Sequence, residues 1–297
     1  MNDGLTRRGF LQGTVAAAAG MALTGAARAE EAPAYAPLKN SLLMGMFPNA
    51  LSYDDRIKMA KACGFDGIEM SPMTNMDEAK RLGELAHKEG IAIHSIIYGG
   101  WGEPLSDPDP AVVKKGHEAV ERAMKTAQAV GADNILLVPA VVTEKVRYVE
   151  AYERSQKEIR ELIPMAEKYN VIIGVEEVWN KFLLSPLEFA KYIDEFNSKW
   201  VRAYFDVGNV VIYGYPEDWI RTLGGRILRV HIKDFKREGY KWTPLYEGDV
   251  NWAEVRKAFH EIGYTGWINA ELPSGDEAYL KELNRRMKLI GQGAKTI

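Results

Sequence analysis

From Lys39 onward the apolar residues follow two alternating rhythms. Short runs rich in Ile, Val and Leu give way to longer stretches in which apolar positions recur every three or four residues and charges fill the gaps. The first rhythm reads as strands covered on both faces, the second as amphipathic helices. Strands are predicted over residues 42–47, 67–70, 91–97, 134–138, 171–176, 201–205, 227–232 and 267–270. Helices are predicted over 53–63, 75–89, 111–130, a long stretch ending at Tyr169-Asn170, 186–196, 252–262 and 277–290. Gly64, Gly90 and Gly131 stand where three of these helices must stop, as a left-handed cap requires.

Alternation of this kind favours parallel strands joined by right-handed crossovers, and eight such units close into a (β/α)8 TIM barrel forming one α/β domain. An open doubly wound sheet is the competing arrangement. It more often carries a Gly-rich phosphate loop after its first strand, and Met44-Gly45-Met46-Phe47-Pro48 lacks that spacing.

The first residues belong to a different pattern. Thr6-Arg7-Arg8-Gly9-Phe10-Leu11 precedes an Ala-rich apolar run, and Ala27-Arg28-Ala29 offers a small-x-small cleavage site. Residues 1–29 are therefore expected to be a twin-arginine signal peptide read by the translocase, residues 30–38 a linker, and residues 39–297 the barrel. The expected location is periplasmic or otherwise exported. No later run approaches the roughly 18 apolar residues of a membrane span, so no stable membrane anchor is expected. Cys63, the one cysteine, can form no internal disulfide, and apolar burial must carry the stability. The formal charge is −3, and −5 once the three arginines and one aspartate of residues 1–29 are set aside. That sign argues against nucleic acid as a partner and leaves small molecules. Assembly into homo-oligomers is left open.

A barrel places its chemistry at the C-terminal ends of its strands, which turns the fold into a filter on polar residues. His87, His117 and His260 fall within helices, whereas His94 and His231 fall on strands. The acids that pass are Glu69, Glu176 or Glu177, Asp206 and Glu271. With His231, the last four strands each contribute one potential ligand. Three carboxylates and an imidazole form a hard, oxygen-rich set suited to one divalent ion, manganese, magnesium or cobalt first and zinc after them. Lys233 shares inward parity with His231 and is placed to meet a substrate oxygen. His94 is read either as a substrate contact or as a core imidazole, and Trp179, Trp101 and Phe47 are candidates to wall a pocket.

At this point the residues resemble the xylose isomerase-like sugar isomerases and epimerases. Glu177-Val178-Trp179-Asn180-Lys181-Phe182 is similar to the fifth-strand signature of ketose 3-epimerases. The resemblance selects Glu177 over Glu176 as both metal ligand and acid/base, and leaves Glu176 a structural partner. It also implies that Asp206, in Phe205-Asp206-Val207-Gly208-Asn209, and His231, in His231-Ile232-Lys233-Asp234, are ligands. Glu271, in Ala270-Glu271-Leu272-Pro273, is implied as the last ligand and second acid/base. Segments 62–69 and 247–252 add further likeness. Trp179, Asn180 and Asn209 then read, with His94 and Lys233, as substrate-binding residues. Two departures loosen the substrate: Asn209 stands where the ketose epimerases carry a His, and Leu183 where they carry a Glu.

The implied function is a metal-dependent sugar isomerase or epimerase, in which Glu177 and Glu271 move a proton next to a carbonyl through an enediolate. Export favours a free or oxidised sugar over a sugar phosphate. Two alternatives remain at this stage: a lyase or hydrolase that expels a β-substituent from an oxo-glycoside, and a non-catalytic sugar-binding protein of the same fold.

Overall fold

The computed structural model describes residues 35–297; the expected signal peptide lies outside the described residues. Eight parallel strands close into a barrel: β1 (Lys39–Leu43), β2 (Gly67–Met70), β3 (Ala92–Gly99), β4 (Asn134–Leu137), β5 (Ile172–Glu176), β6 (Val201–Asp206), β7 (Ile227–Ile232) and β10 (Trp267–Ala270). Between β7 and β10 an antiparallel hairpin, β8 (Asp234–Lys236) and β9 (Lys241–Thr243), stands outside the barrel. The helices are α1 (Tyr53–Ala62), α2 (Met76–Glu89), α3 (Pro110–Val130), α4 (Tyr148–Tyr169), α5 (Pro186–Asp194), α6 (Pro216–Leu223), α7 (Trp252–Glu261) and α8 (Glu277–Gln292). Among the described residues no helix is long and apolar enough to cross a membrane.

The helix ends follow from side-chain chemistry. Ser52, Asn75, Asp109, Ser185, Asn251 and Asp276 accept a backbone N–H of the first turn that follows them, which satisfies a donor the helix itself cannot. Gly90, Gly131, Asn170 and Gly293 end four helices in the left-handed conformation. Between helices and sheet lies a continuous apolar core drawn from every strand.

Three expectations needed correction. The first strand is Lys39–Leu43 rather than 42–47, because Met44 and Met46 are buried in a 3₁₀ turn and not in the sheet. The short helix α6 and the β8–β9 hairpin are additional elements. Phe47 is wholly buried and is not among the residues lining the pocket at the barrel mouth.

Candidate active site and metal centre

The barrel interior is polar on several strands. Register places Asn269 of β10 beside His231 of β7, His231 beside Asp206 of β6, and Glu69 of β2 beside Ser95 of β3. Glu69 is completely buried. Its carboxylate accepts from Ser95 Oγ (2.5 Å), Tyr204 Oη (3.0 Å), Asn269 Nδ2 (3.0 Å) and His231 Nε2 (2.7 Å). Four donors offset the cost of removing the carboxylate from water. They also fix the imidazole: with Nε2 committed to Glu69, Nδ1 is the nitrogen turned toward the strand ends.

Around that Nδ1 three carboxylates converge. Glu176 Oε1 lies at 2.9 Å, Glu271 Oε2 at 3.4 Å and Asp206 Oδ2 at 3.9 Å. One donor atom from each of Glu176, Asp206, His231 and Glu271 falls within 4.8 Å of all the others. Lys233 is the counter-cation. Its Nζ lies 2.8 Å from Asp206 Oδ2, an ion-pair contact without hydrogen-bond alignment, and donates to Glu271. Gly208 permits this, since a Cβ there would collide with the Lys233 stem.

The titration behaviour reflects crowding. Burial pushes the Glu176 carboxyl up to about 7, against the pull of His231. Asp206 is raised by burial, with Lys233 opposing. Glu271 moves the other way: burial would raise it, but His231 and Lys233 together hold it well below the usual carboxylate range. His231 is drawn well above its ordinary value because Glu69, Glu271 and Glu176 outweigh its desolvation. Charge of both signs is thus packed into one buried cluster. Asp206 Oδ2 remains a buried oxygen without a hydrogen-bond donor. The donor set, three carboxylates and one imidazole nitrogen, fits a hard divalent ion.

Glu177, the acid favoured by the resemblance, is not in this group. Adjacent strand residues point to opposite sides, and Glu176 takes the inward position. Glu177 turns toward β6, where its Oε1 accepts the Asp206 N–H (2.8 Å); Oε2 is buried without a partner. The place expected of Glu177 in the cluster is taken by Glu176.

A pocket of about 430 Å³ opens above the cluster, and Glu176, Glu271, Asn209, Lys233, Trp179 and Trp101 are among its lining residues. Trp179 is held by its indole N–H, which donates to the Asn209 carbonyl (3.0 Å). Asn209 Nδ2 donates to the Glu177 carbonyl (3.0 Å). Two of the expected substrate-binding residues lie elsewhere. Asn180 is buried in the loop, donating to the Ala140 carbonyl and accepting from the Phe182 N–H. His94 is buried in the barrel, stacked on Trp267 at 4.3 Å, and desolvation lowers it well below its ordinary value. Neither lines the pocket. Trp242, which does, was missed because its three-residue strand has no run long enough to stand out.

A larger groove, about 510 Å³, lies against α3 and α4 and holds His117, Glu158 and Glu161. Lys157 Nζ sits 2.9 Å from Glu158 and 3.5 Å from Glu161, so a cation already lies beside both acids. The four-residue cluster lies instead at the barrel mouth, with Glu176 and Glu271 lining the pocket there.

Known proteins share this arrangement of strands and helices. The chain is 26% identical over 245 residues to L-ribulose-5-phosphate 3-epimerase UlaE of Escherichia coli K12, covering 77% of this chain and 86% of the relative. A D-psicose 3-epimerase crystallised in the presence of D-fructose superposes with a TM-score of 0.74 at 17% identity, covering 86% of this chain and all of the other. The apo form of 3-keto-D-glucoside 4-epimerase YcjR from E. coli gives 0.72 at 15% identity, covering 85% and 98%. The family model for the xylose isomerase-like TIM barrel matches residues 57–290. With the closed eight-stranded barrel and its mouth now described, the chain belongs to the xylose isomerase-like TIM barrel family.

Proposed function

We propose that the chain is a metal-dependent sugar epimerase or isomerase that acts on an unphosphorylated sugar bearing a carbonyl, with Glu176 and Glu271 as its proton carriers. The observation that carries this reading is the convergence of Glu176, Asp206, His231 and Glu271 at the floor of an aromatic-walled pocket. These four residues would hold the ion. When bound, it would supply positive charge that polarises a carbonyl and makes the adjacent C–H acidic.

The protein's own groups do the rest. Glu176 ends β5 and Glu271 follows β10, with β6 and β7 between them, so the two carboxylates approach a bound sugar from different sides. One takes the proton from carbon, leaving an enediolate, and the other returns it. Return to the opposite face epimerises; return to the neighbouring carbon isomerises. Glu69 keeps His231 oriented, and Trp179 offers a flat apolar face to sugar C–H groups.

The relatives' named epimerase activities support the class of reaction. The phosphate in UlaE's named substrate is not carried over. Lys233 is the one cationic side chain among the described residues lining the pocket, and Asp206 and Glu271 already engage it. A phosphate dianion there would face carboxylates with no free cation to meet it. The reading of residues 1–29 as an export signal adds a location outside the cytoplasm to the proposal.

The test is a comparison of free ketopentoses and ketohexoses with their phosphate esters, following epimer formation by NMR with added divalent ion. We expect kcat/KM to be at least roughly tenfold higher for a free sugar, about 1.4 kcal/mol of transition-state preference. A preference for the phosphate esters would overturn the substrate class.

A further inference from the structure

The β8–β9 hairpin and the turn that joins its strands lie beside the pocket mouth. Its strands read Asp-Phe-Lys and Lys-Trp-Thr, and register sets Phe235 opposite Trp242, with lysines paired beyond them. Period-two alternation puts the two aromatics on one face and the lysines on the other. Phe235 is wholly buried, and three rings gather around it: Trp179 at 5.4 Å, Tyr240 at 5.1 Å and Trp242 at 5.0 Å. Trp242 stacks on Trp179 at 4.8 Å and 24°. Trp179 and Trp242 line the pocket, whereas Tyr240, 62% exposed, lies outside its lining. The aromatic surface therefore runs from the pocket wall outward.

This surface is braced. Asp234 accepts from the Tyr246 and Val250 N–H groups in the loop that follows the hairpin and from the indole of Trp252, the first residue of α7. Arg237, at the turn, donates to the carbonyls of Val211 (3.0 Å) and Gly214 (2.7 Å), and Asp249 accepts its backbone N–H. Such bracing fixes exposed rings in place before any ligand arrives, which lowers the entropy lost on binding.

Tyr240 adds a second signal. Its φ is +50°, a left-handed conformation that strains a residue bearing a side chain and that Gly adopts freely. The turn itself would be better served by Gly. The ring is kept at a backbone cost while mostly exposed, and its position continues the stacked wall of the pocket.

We propose that Tyr240 and Trp242 form an outer subsite that stacks the second ring of a glycoside whose first ring occupies the pocket. A pyranose presents a face of C–H groups that matches an aromatic surface, and the rings carry no charge to demand an ionic partner. The identity of the first ring as a sugar rests on the function proposed above, which leaves open whether the substrate is a free or a substituted sugar; the outer subsite selects the substituted one.

The test uses the full chain and unreactive probes. Tryptophan fluorescence is titrated with glucose, cellobiose and phenyl β-glucoside, for the native protein and for Tyr240→Ala and Tyr240→Gly. Cellobiose is expected to half-saturate at a concentration about tenfold below glucose, and both variants to shrink that gap to about twofold. Tyr240→Gly should also raise the melting temperature, which separates a lost ligand contact from a damaged fold. Equal binding of glucose and cellobiose, an undiminished gap in both variants, or a gain confined to the phenyl glucoside would each overturn the proposal. Because no turnover is needed, a protein that shows the gap but transforms no sugar refutes the proposed chemistry and leaves the subsite standing.

Discussion

Replacing Glu176 and Glu177 one at a time by Gln separates the geometry of the site, which favours Glu176, from the resemblance, which favoured Glu177. Glu176 contributes one of four donors that lie within 4.8 Å of one another. A unit charge about 4 Å from another is worth about 4 kcal/mol at an effective dielectric near 20, and a divalent ion doubles it. Water entering at the vacated position and the retained amide oxygen recover part of that. A net loss of about 2.7 kcal/mol, roughly hundredfold in affinity, is the expected result for Glu176→Gln. Glu177→Gln behaves differently. Burial raises the Glu177 carboxyl well above its ordinary value, its side chain turns away from the four-donor cluster, and Gln preserves its shape. The amide oxygen can still accept the Asp206 N–H. Its metal affinity should stay within about threefold of the native protein. Calorimetric titration of metal-free protein with manganese reads both numbers. A large loss in Glu177→Gln with little change in Glu176→Gln would refute the assignment.

Three further outcomes are expected, two from the same geometry and one from the sequence of residues 1–29. Glu69→Gln disturbs the partner of His231 Nε2 without touching the ion, and should weaken metal binding by about 10–100-fold in the same titration, with a lowered melting temperature. Metal affinity should rise with pH through about 7. Below that value Glu176, raised chiefly by burial, holds a proton that an ion must displace; above it the carboxylate is bare. The proton release is measured by calorimetry in buffers of different ionisation enthalpy, and an affinity independent of pH between 6 and 8 would contradict it. Exchanging Arg7 and Arg8 together for Lys should stop export, read by fractionating cells that express the full chain.

The barrel was legible because burial on both faces leaves the strands mainly apolar, and because Gly90, Gly131 and their like mark helix ends by a conformation other residues avoid. The hairpin was not. Three-residue strands with a lysine in each carry too little periodicity, and the Phe235–Trp242 pair is evident only once the two strands face each other. Helix α6 did leave a signal, Pro216 followed by Glu217 and Asp218 in its first turn, with Trp219, Ile220 and Leu223 forming its buried stripe.

Within the candidate cluster, the positions of Asp206, His231 and Glu271 follow from their places at strand ends. The choice between Glu176 and Glu177 depends on which parity faces inward, and a run of Val, Ile and Gly that is buried on both sides does not reveal it. Asn180 and His94 were polar residues at plausible places whose partners, the Ala140 carbonyl and the Trp267 ring, lie far off in sequence. Glu69 passed the strand-end filter, yet it sits beneath His231 rather than beside the substrate, a difference of depth that sequence spacing does not encode.

The central claim is proton transfer at a carbon next to a carbonyl, carried by Glu176 and Glu271. It is tested most directly by incubating the metal-loaded protein in deuterium oxide with unphosphorylated ketoses and oxo-glycosides and locating deuterium in the recovered sugar. Deuterium at that carbon is expected together with the epimer or isomer, as is loss of both on adding a chelator or on Glu271→Gln. Release of an aglycone without epimer would place the chain on the elimination route, and product formation with no solvent deuterium, or exchange that survives the chelator, would contradict the account.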